Sequence, residues 1–109
     1  MRYLQTEEVI LVMTDNKNRL ICDRVLSKGT VNCSLMSPRE VFLVALEYHA
    51  VHILLIHNHP SGDAAPSRQD IEITEHLARL CDMMQLPLLD HIIVGDGCYV
   101  SFKESGLLK

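Results

Sequence analysis

The run VHILLI at residues 51–56 constrains the fold more than any other stretch of the chain. It is short, continuous and apolar, and it is β-branched at its start, which is typical of a strand covered on both faces in the middle of a sheet. A transmembrane helix needs roughly 20 apolar residues, so this run and the others like it are too short to span a bilayer. We therefore expect an α/β domain built around a central strand at this position.

The segments on either side of this run predict the rest of a mixed sheet and two helices. EEVILVMT and RLICDRVL, joined by DNKN, predict a β-hairpin, and LLDHIIVG and CYVSF predict a second hairpin across residues 95–97. SPRE at 37–40 opens one predicted helix, with Ser37 as its N-cap, and Ser67 opens another that runs to about Gln85. The predicted order is β, β, α, β, α, β, β, with no internal repeat or linker.

The composition favours one soluble domain. With 109 residues, of which 48% are hydrophobic, the chain can bury one core and has no room for a second domain. The N-terminus lacks the basic and apolar regions of a signal peptide, since the acidic pair Glu7 and Glu8 follows a single Arg2. The four cysteines form no CxxC pair, which favours reduced, buried thiols over a disulfide framework or a cysteine zinc site. We expect one domain over residues 1–109 of a cytoplasmic protein.

The stretch HNHPSGDAAPSRQD at residues 57–70 directly follows VHILLI and carries candidate metal ligands. In an extended segment His57 and His59 point to the same side, and the loop that follows can bring Asp70 back toward them. Two imidazoles and one carboxylate suit a catalytic zinc, which keeps a fourth position for water. The alternative is a plain helix start, because Asp70 lies three residues after the Ser67 cap, where a carboxylate stabilises a helix without any metal.

A zinc with an open position also needs a proton acceptor that is not itself a ligand. Glu7 and Glu8 flank the start of the first predicted strand, where adjacent residues face opposite ways, so only one of them can face the site. The remaining histidines show no matching partner spacing and are interpreted as structural or exposed: His49, His52, His76 and His91.

With these residues, the chain resembles the RadC family of bacterial proteins, labelled DNA repair proteins, and carries a pattern like the JAMM motif of the JAB1/MPN metalloproteases. The similarity rests on HNHPSGDAAPSRQDI, on SPREVFLVAL upstream, on GT at 29–30 and on LDHIIVG downstream. It extends from about Glu7 to Leu108. The resemblance implies a three-layer α/β/α domain with a mixed central sheet, related to cytidine deaminases. It also implies that His57, His59 and Asp70 ligate zinc and that Ser67 helps to stabilise an oxyanion.

The resemblance further selects the general acid/base. The family's glutamate lies eleven residues before the Asn of its hairpin turn, so counting back from Asn18 selects Glu7 over Glu8. A bulge or a shift of one residue in the hairpin would reverse that choice. The implied reaction is hydrolysis of a peptide or isopeptide amide. Glu7 takes a proton from the zinc-bound water, hydroxide attacks a carbonyl held by zinc and Ser67, and Glu7 passes the proton to the leaving amine. The expected substrate is a protein or peptide.

The relation to DNA is expected to be indirect. RadC proteins typically carry an N-terminal helix-hairpin-helix region of the kind that contacts DNA, whereas this sequence begins six residues before Glu7. We therefore expect part of a longer protein or a short, prophage-type member, with DNA reached only through regions outside residues 1–109 or through partners. A formal net charge of −4 without any Lys/Arg run argues against nonspecific DNA binding.

Two other functions stay open on the sequence. One is a non-catalytic binding module of MPN type in a DNA-repair or recombination context. The other is a metal-dependent nuclease, suggested by the repair label and by the letters HNH at 57–59. Those letters do not support it, because an HNH nuclease spreads its residues across a ββα unit, whereas here they are consecutive.

Overall fold

The computed structural model describes residues 7–29, 37–59 and 61–108, with the backbone alone for residues 27–29. Within these ranges the chain forms five strands and two helices in the predicted order. In chain order the elements are β1 (Glu7–Thr14), β2 (Leu20–Gly29), α1 (Pro38–Glu47), β3 (His52–Asn58), α2 (Arg68–Met83), β4 (Leu88–Val94) and β5 (Tyr99–Ser101).

The strands form one mixed sheet in the order β2-β1-β3-β4-β5. Strand β1 pairs antiparallel with both β2 and β3, β3 pairs parallel with β4, and β4 pairs antiparallel with β5. The central strand is β3, which contains most of the VHILLI run. The α/β class, with a mixed central sheet and two helices, is therefore confirmed.

Both helices lie on the same face of this sheet. One row of facing residues crosses four strands: Arg24, Leu11, Leu55 and His91. At one end of the row the Arg24 guanidinium donates to the Tyr48 hydroxyl, 2.6 Å away, just after α1. At the other end Thr74 of α2 hydrogen-bonds to His91 at 2.7 Å. The two crossovers, β2-α1-β3 and β3-α2-β4, proceed in the same direction across the sheet, and right-handed crossovers then place both helices on one side.

The described residues therefore supply the sheet and one helical layer of the three predicted layers. The core lies between them, where Val41 and Ala45 of α1 and Leu77 and Cys81 of α2 pack with the buried residues of β1, β3 and β4. The opposite face carries apolar side chains that are only half-buried: Ile10, Val12, Leu54, Ile56, Ile92 and Val94. In the described residues the two helices cover β3 on one face, and not on both faces as predicted. An apolar run in the sequence does not show on which side of the sheet the crossovers pass.

The helix ends differ in detail from the prediction. Helix α2 ends at Met83 rather than near Gln85, because Gln85 has φ 57°, which a right-handed helix cannot include. Ser37 precedes α1 at the predicted N-cap position, but its side chain makes no capping hydrogen bond. Pro38 nevertheless lies in the first turn, where its missing N–H costs nothing. Neither helix in the described ranges is long and apolar enough to cross a membrane.

The cysteines in the described ranges are free thiols, and they differ in exposure. Cys81 is buried in the core as predicted, and burial raises the pKa of its thiol to about 11. Cys22 is half-buried, and Cys98 is exposed, which corrects the prediction of a buried thiol there. The reason is local, since Cys98 follows the Gly97 turn before β5 begins. The prediction for Cys33 lies outside the described residues.

Candidate metal centre

The end of β3 positions the two histidines of the HNHP stretch. Alternate residues of β3 face the helices, so Ile53, Leu55 and His57 are all buried on that side. His59 follows one step beyond the strand, and its backbone N–H donates to the carbonyl oxygen of Val94 on β4 at 2.9 Å. The two imidazole rings consequently meet edge to face, with their centroids 4.8 Å apart. The strand therefore brings the two histidines together, as their spacing of two residues predicted.

The start of α2 brings Asp70 to the same point. A capping box forms here: the Ser67 hydroxyl accepts from the Asp70 N–H at 3.0 Å, and Asp70 Oδ2 accepts from the Ser67 N–H at 2.8 Å. The same carboxylate faces the histidines, with Oδ2 3.2 Å from His59 Nε2 and Oδ1 3.8 Å from His57 Nδ1. The helix-cap interpretation and the metal-ligand interpretation of Asp70 are therefore compatible.

The loop after β3 fixes the orientation of the His59 ring. Its Nδ1 lies 3.0 Å from the carbonyl oxygen of Asp63, which can only accept, so this nitrogen carries the proton. In the neutral ring the lone pair is then on Nε2, the nitrogen that faces Asp70. A metal-binding histidine commonly donates its other ring N–H to a carbonyl in this way. The His59 side chain is 17% exposed, against 3% for His57 and 2% for Asp70, so the site opens to solvent beside His59.

Glu7 rather than Glu8 lies beside the histidines. The register between β1 and β3 pairs Val9 with His57, so Glu7, two residues before Val9, shares the face of His57. Its side chain is buried, and Oε1 contacts His57 Nε2. Glu8, the next residue along the strand, faces the other side of the sheet and is half-buried. This placement agrees with the selection of Glu7, while its role as acid/base stays a prediction.

Ser67 is at the edge of the cluster. The residue is exposed, and its hydroxyl oxygen already accepts the Asp70 N–H. The hydroxyl proton is still available as a donor, so the capping role leaves the predicted contact with an oxyanion chemically possible. That contact stays a prediction.

Electrostatics favour an ionised Asp70 and a neutral His91. Burial raises the pKa of Asp70, but the hydrogen bonds with Ser67 and the nearby His57 and His59 outweigh it, so the pKa lies below its ordinary value. His91 is fully buried behind His57, and burial, with a smaller effect of His57, lowers its pKa to about 3. Asp70 therefore contributes a negative charge to the cluster.

The donor set fits a metal ion. The candidate ligand atoms of His57, His59 and Asp70 lie within 4.8 Å of one another, so these three residues could hold one metal ion. Within the described chain, Glu7 Oε2 and His57 Nδ1 are buried without a hydrogen-bond partner. Burying polar atoms without a hydrogen-bond partner is costly, and a cation bound at these residues would offset that cost. Nitrogen and carboxylate ligands of this kind suit zinc.

Three further residues support the site and were not predicted. Asn58, between the histidines, accepts from the Glu8 N–H. His91 lies with its ring centroid 5.7 Å from that of His57, at an interplanar angle of 21°. Gly95 lies against the loop that holds His59, since a Cβ there would come within 2.9 Å of the Ala64 nitrogen. Only the glycine in a turn carries a sequence signal; the other contacts join segments far apart in the chain.

Comparison with known proteins assigns the chain to a family. A family model described as a RadC-like JAB domain matches residues 1–107. A UPF0758 protein of Caldanaerobacter subterraneus is 46% identical over 97% of this chain and 46% of its own length. A UPF0758 protein of Methanosarcina mazei is 44% identical over 100% of this chain and 48% of its own. The chain thus spans about half the length of these relatives. It belongs to the RadC-like JAB domain family.

Proposed function

We propose that this domain is a zinc-dependent hydrolase of JAMM type that cleaves a peptide or isopeptide amide in a protein or peptide substrate. The observation that carries the proposal is the convergence of two histidines and two carboxylates from β1, β3 and the start of α2 at one buried point. Membership of a JAB family supports it, because that family includes metalloproteases. Three of these side chains form the ligand set, and Glu7 is left as a base.

The proposed roles follow from where each group lies. His57, His59 and Asp70 would hold the zinc, which lowers the pKa of its water to about 7 and polarises a carbonyl. Glu7 is buried and fixed beside His57, so it can accept a proton from the attacking water and deliver it to the leaving amine. The substrate would enter beside His59, the most exposed of the three ligands. Ser67 lies at that edge and would donate its hydroxyl proton to the developing oxyanion.

The experiment that tests this function compares variants on a mixed peptide library. Zinc-loaded protein is incubated with proteome-derived peptides, and new amino termini are identified by mass spectrometry. We expect termini that disappear with a chelator and in Glu7→Gln, and that persist in the matched control Glu8→Gln. Zinc content should be unchanged in Glu7→Gln, because Glu7 is not a ligand. Cleavage that survives in Glu7→Gln, or no cleavage by the zinc-loaded wild type, contradicts the proposal.

A parallel incubation with single-stranded and double-stranded DNA tests the nuclease alternative. We expect no cleavage, because the chain has a net charge of −4 and no basic run to hold a phosphate backbone. DNA cleavage that depends on Glu7 would replace the hydrolase proposal.

We also propose a cytoplasmic location. The described cysteines Cys22, Cys81 and Cys98 are free thiols, and reducing compartments keep cysteines in that state.

A further inference from the structure

We propose that Asn58, the residue between the two histidines, is a positioning residue for Glu7: its amide holds the start of β1 so that Glu7, and not Glu8, faces the metal ligands. This inference rests on the proposed function, because it assigns Asn58 to the general base of that reaction. It gives a role to the one polar residue of HNHP that the ligand set leaves out.

The contact replaces the last rung of the ladder between β1 and β3. The backbone pairing of these strands ends at Val9 and His57. The next residues outward are Glu8 and Asn58, and there the Asn58 side-chain oxygen accepts from the Glu8 N–H at 2.5 Å. The Asn58 residue is 1% exposed, so water cannot compete well for this hydrogen bond. A side chain thus extends the ladder by one residue, directly next to His57.

Fixing the Glu8 backbone fixes which glutamate faces the site. Side chains alternate along a strand, so a shift of one residue at this end would exchange Glu7 for Glu8. The pairing of β1 with β2 includes this end, with Glu7 opposite Gly29 and Glu8 opposite Lys28, but its register shifts between Val9 and Ile10. Asn58 ties the same end of β1 to β3, the strand that carries His57. One hydrogen bond therefore links the end of β1 that carries Glu7 to the strand that carries His57.

The chemistry of the amide suits this position. An asparagine oxygen accepts a backbone N–H without adding charge. An aspartate would place a charge at a position that is 1% exposed, at a cost in desolvation. Leucine has a similar size and cannot accept a hydrogen bond, and serine keeps polarity but shortens the reach. Both substitutions therefore remove the contact in different ways.

The test compares Asn58→Leu and Asn58→Ser with Glu7→Gln and with the matched control Glu8→Gln, all in the full chain. Three readouts do not require cleavage: zinc affinity, the visible absorption spectrum of the cobalt-loaded protein, and hydrogen exchange of the Glu8 amide. We expect zinc affinity within about threefold of wild type, because the ligands come from β3 and α2. We expect the cobalt spectrum of both Asn58 variants to move toward that of Glu7→Gln, and Glu8 exchange to accelerate at least tenfold. Glu8→Gln should keep the wild-type spectrum.

The outcomes separate this inference from the proposed function. A wild-type cobalt spectrum in a folded Asn58 variant overturns the positioning role. So does a loss of zinc affinity of tenfold or more, which would show that Asn58 supports the ligands instead. If Asn58→Leu fails to fold, the same criteria apply to Asn58→Ser. Where cleavage is found, adding Asn58→Leu to Glu7→Gln should cause no further loss of rate, whereas an additive loss contradicts action through Glu7. If the wild type cleaves nothing, the proposed function fails, but the spectra still decide the inference.

Discussion

At the residue scale, the position of Asp70 fits two roles that the sequence presented as alternatives. Its carboxylate closes the capping box with Ser67 and faces both histidines. The two roles do not compete, because a helix N-terminus stabilises negative charge and a metal ion requires it. The hydrogen bonds that lower the pKa of Asp70 also keep it ionised for a metal.

These two roles are separable by substitution. In Asp70→Asn the amide oxygen can still accept from the Ser67 N–H, so we expect the unfolding free energy of the metal-free protein to change by less than about 1 kcal/mol. Zinc affinity should fall at least tenfold, because the charged ligand is lost. The comparison variant Ser67→Ala removes the cap and should cost about 1 kcal/mol while leaving zinc affinity within about threefold. Urea unfolding measures the change in stability of both variants, and zinc titration measures the change in their zinc affinity. Equal loss of zinc affinity in both variants would show that the cap and the ligand cannot be separated.

The sequence predicts the convergence of the candidate ligand residues better than the contacts of the residues around them. His57 and His59 share a face through strand periodicity, and the family resemblance selected Glu7 by its distance from Asn18. Neither rule reaches Asn58 or His91, because their partners, Glu8 and Thr74, come from elements distant in the chain. Such contacts depend on strand order and register, which a single sequence does not specify.

At the element scale, the turn between β4 and β5 supports the loop that carries His59. The Asp96 N–H donates to the Gly62 carbonyl oxygen at 2.8 Å, and the Cys98 thiol donates to the same oxygen at 3.5 Å. Gly95 packs against this loop so closely that a Cβ would contact the Gly62 oxygen and the Ala64 nitrogen. The turn therefore holds the loop against the end of β4, from which the Val94 carbonyl binds the His59 N–H.

Gly95→Ala should displace this loop and weaken metal binding. We expect zinc affinity to fall by about tenfold, the scale of effects on residues that orient a ligand. Gly97→Ala is the matched control, since Gly97 has φ 71° but no atom within 4 Å of its would-be Cβ. That control should cost about 1 kcal/mol of stability through backbone strain and leave zinc affinity unchanged. Zinc titration and thermal unfolding of both variants check this. Unchanged zinc affinity in Gly95→Ala would mean that the turn does not support the site.

The strands and helices were predicted from local sequence signals. The errors are at the helix ends, where such signals are missing or are not used. Ser67 caps α2 as predicted, because its capping box is local in sequence. Ser37 occupies the corresponding position before α1 without making the bond. The end of α2 was placed too late, because nothing in the sequence marks Gln85 as a left-handed residue. Hairpin and cap motifs are thus reliable where their geometry closes within a few residues.

At the scale of the whole molecule, a sheet covered by helices on one face places the candidate metal centre at one end of the core. The buried residues form one cluster that runs from α1 to α2, and His91 joins it to the site through stacking on Phe102, with ring centroids 4.6 Å apart. Whole-molecule stability and site geometry are therefore linked through His91.

The buried His91 predicts how the stability of the metal-free protein depends on pH. Its pKa is about 3 in the folded protein, whereas the unfolded chain takes up the proton below about pH 6.5. The unfolded state then binds more protons, so this residue lowers stability as pH falls from about 6.5 toward 3, by up to about 1.4 kcal/mol per pH unit. In His91→Gln, the loss between about pH 7 and about pH 5 should be about 2 kcal/mol smaller than in the wild type. Urea unfolding at both pH values measures it, and parallel losses in the two proteins would contradict a neutral, buried His91.

The central claim is that one metal ion is held by His57, His59 and Asp70 with Glu7 facing it. The most direct test is an anomalous difference map at the zinc absorption edge, from crystals of the protein grown with zinc. We predict one strong peak in contact with all three side chains, with the Glu7 carboxylate within hydrogen-bond reach of the open coordination position. The absence of a peak at these residues, or a peak there with Glu8 turned toward it in place of Glu7, would contradict the account.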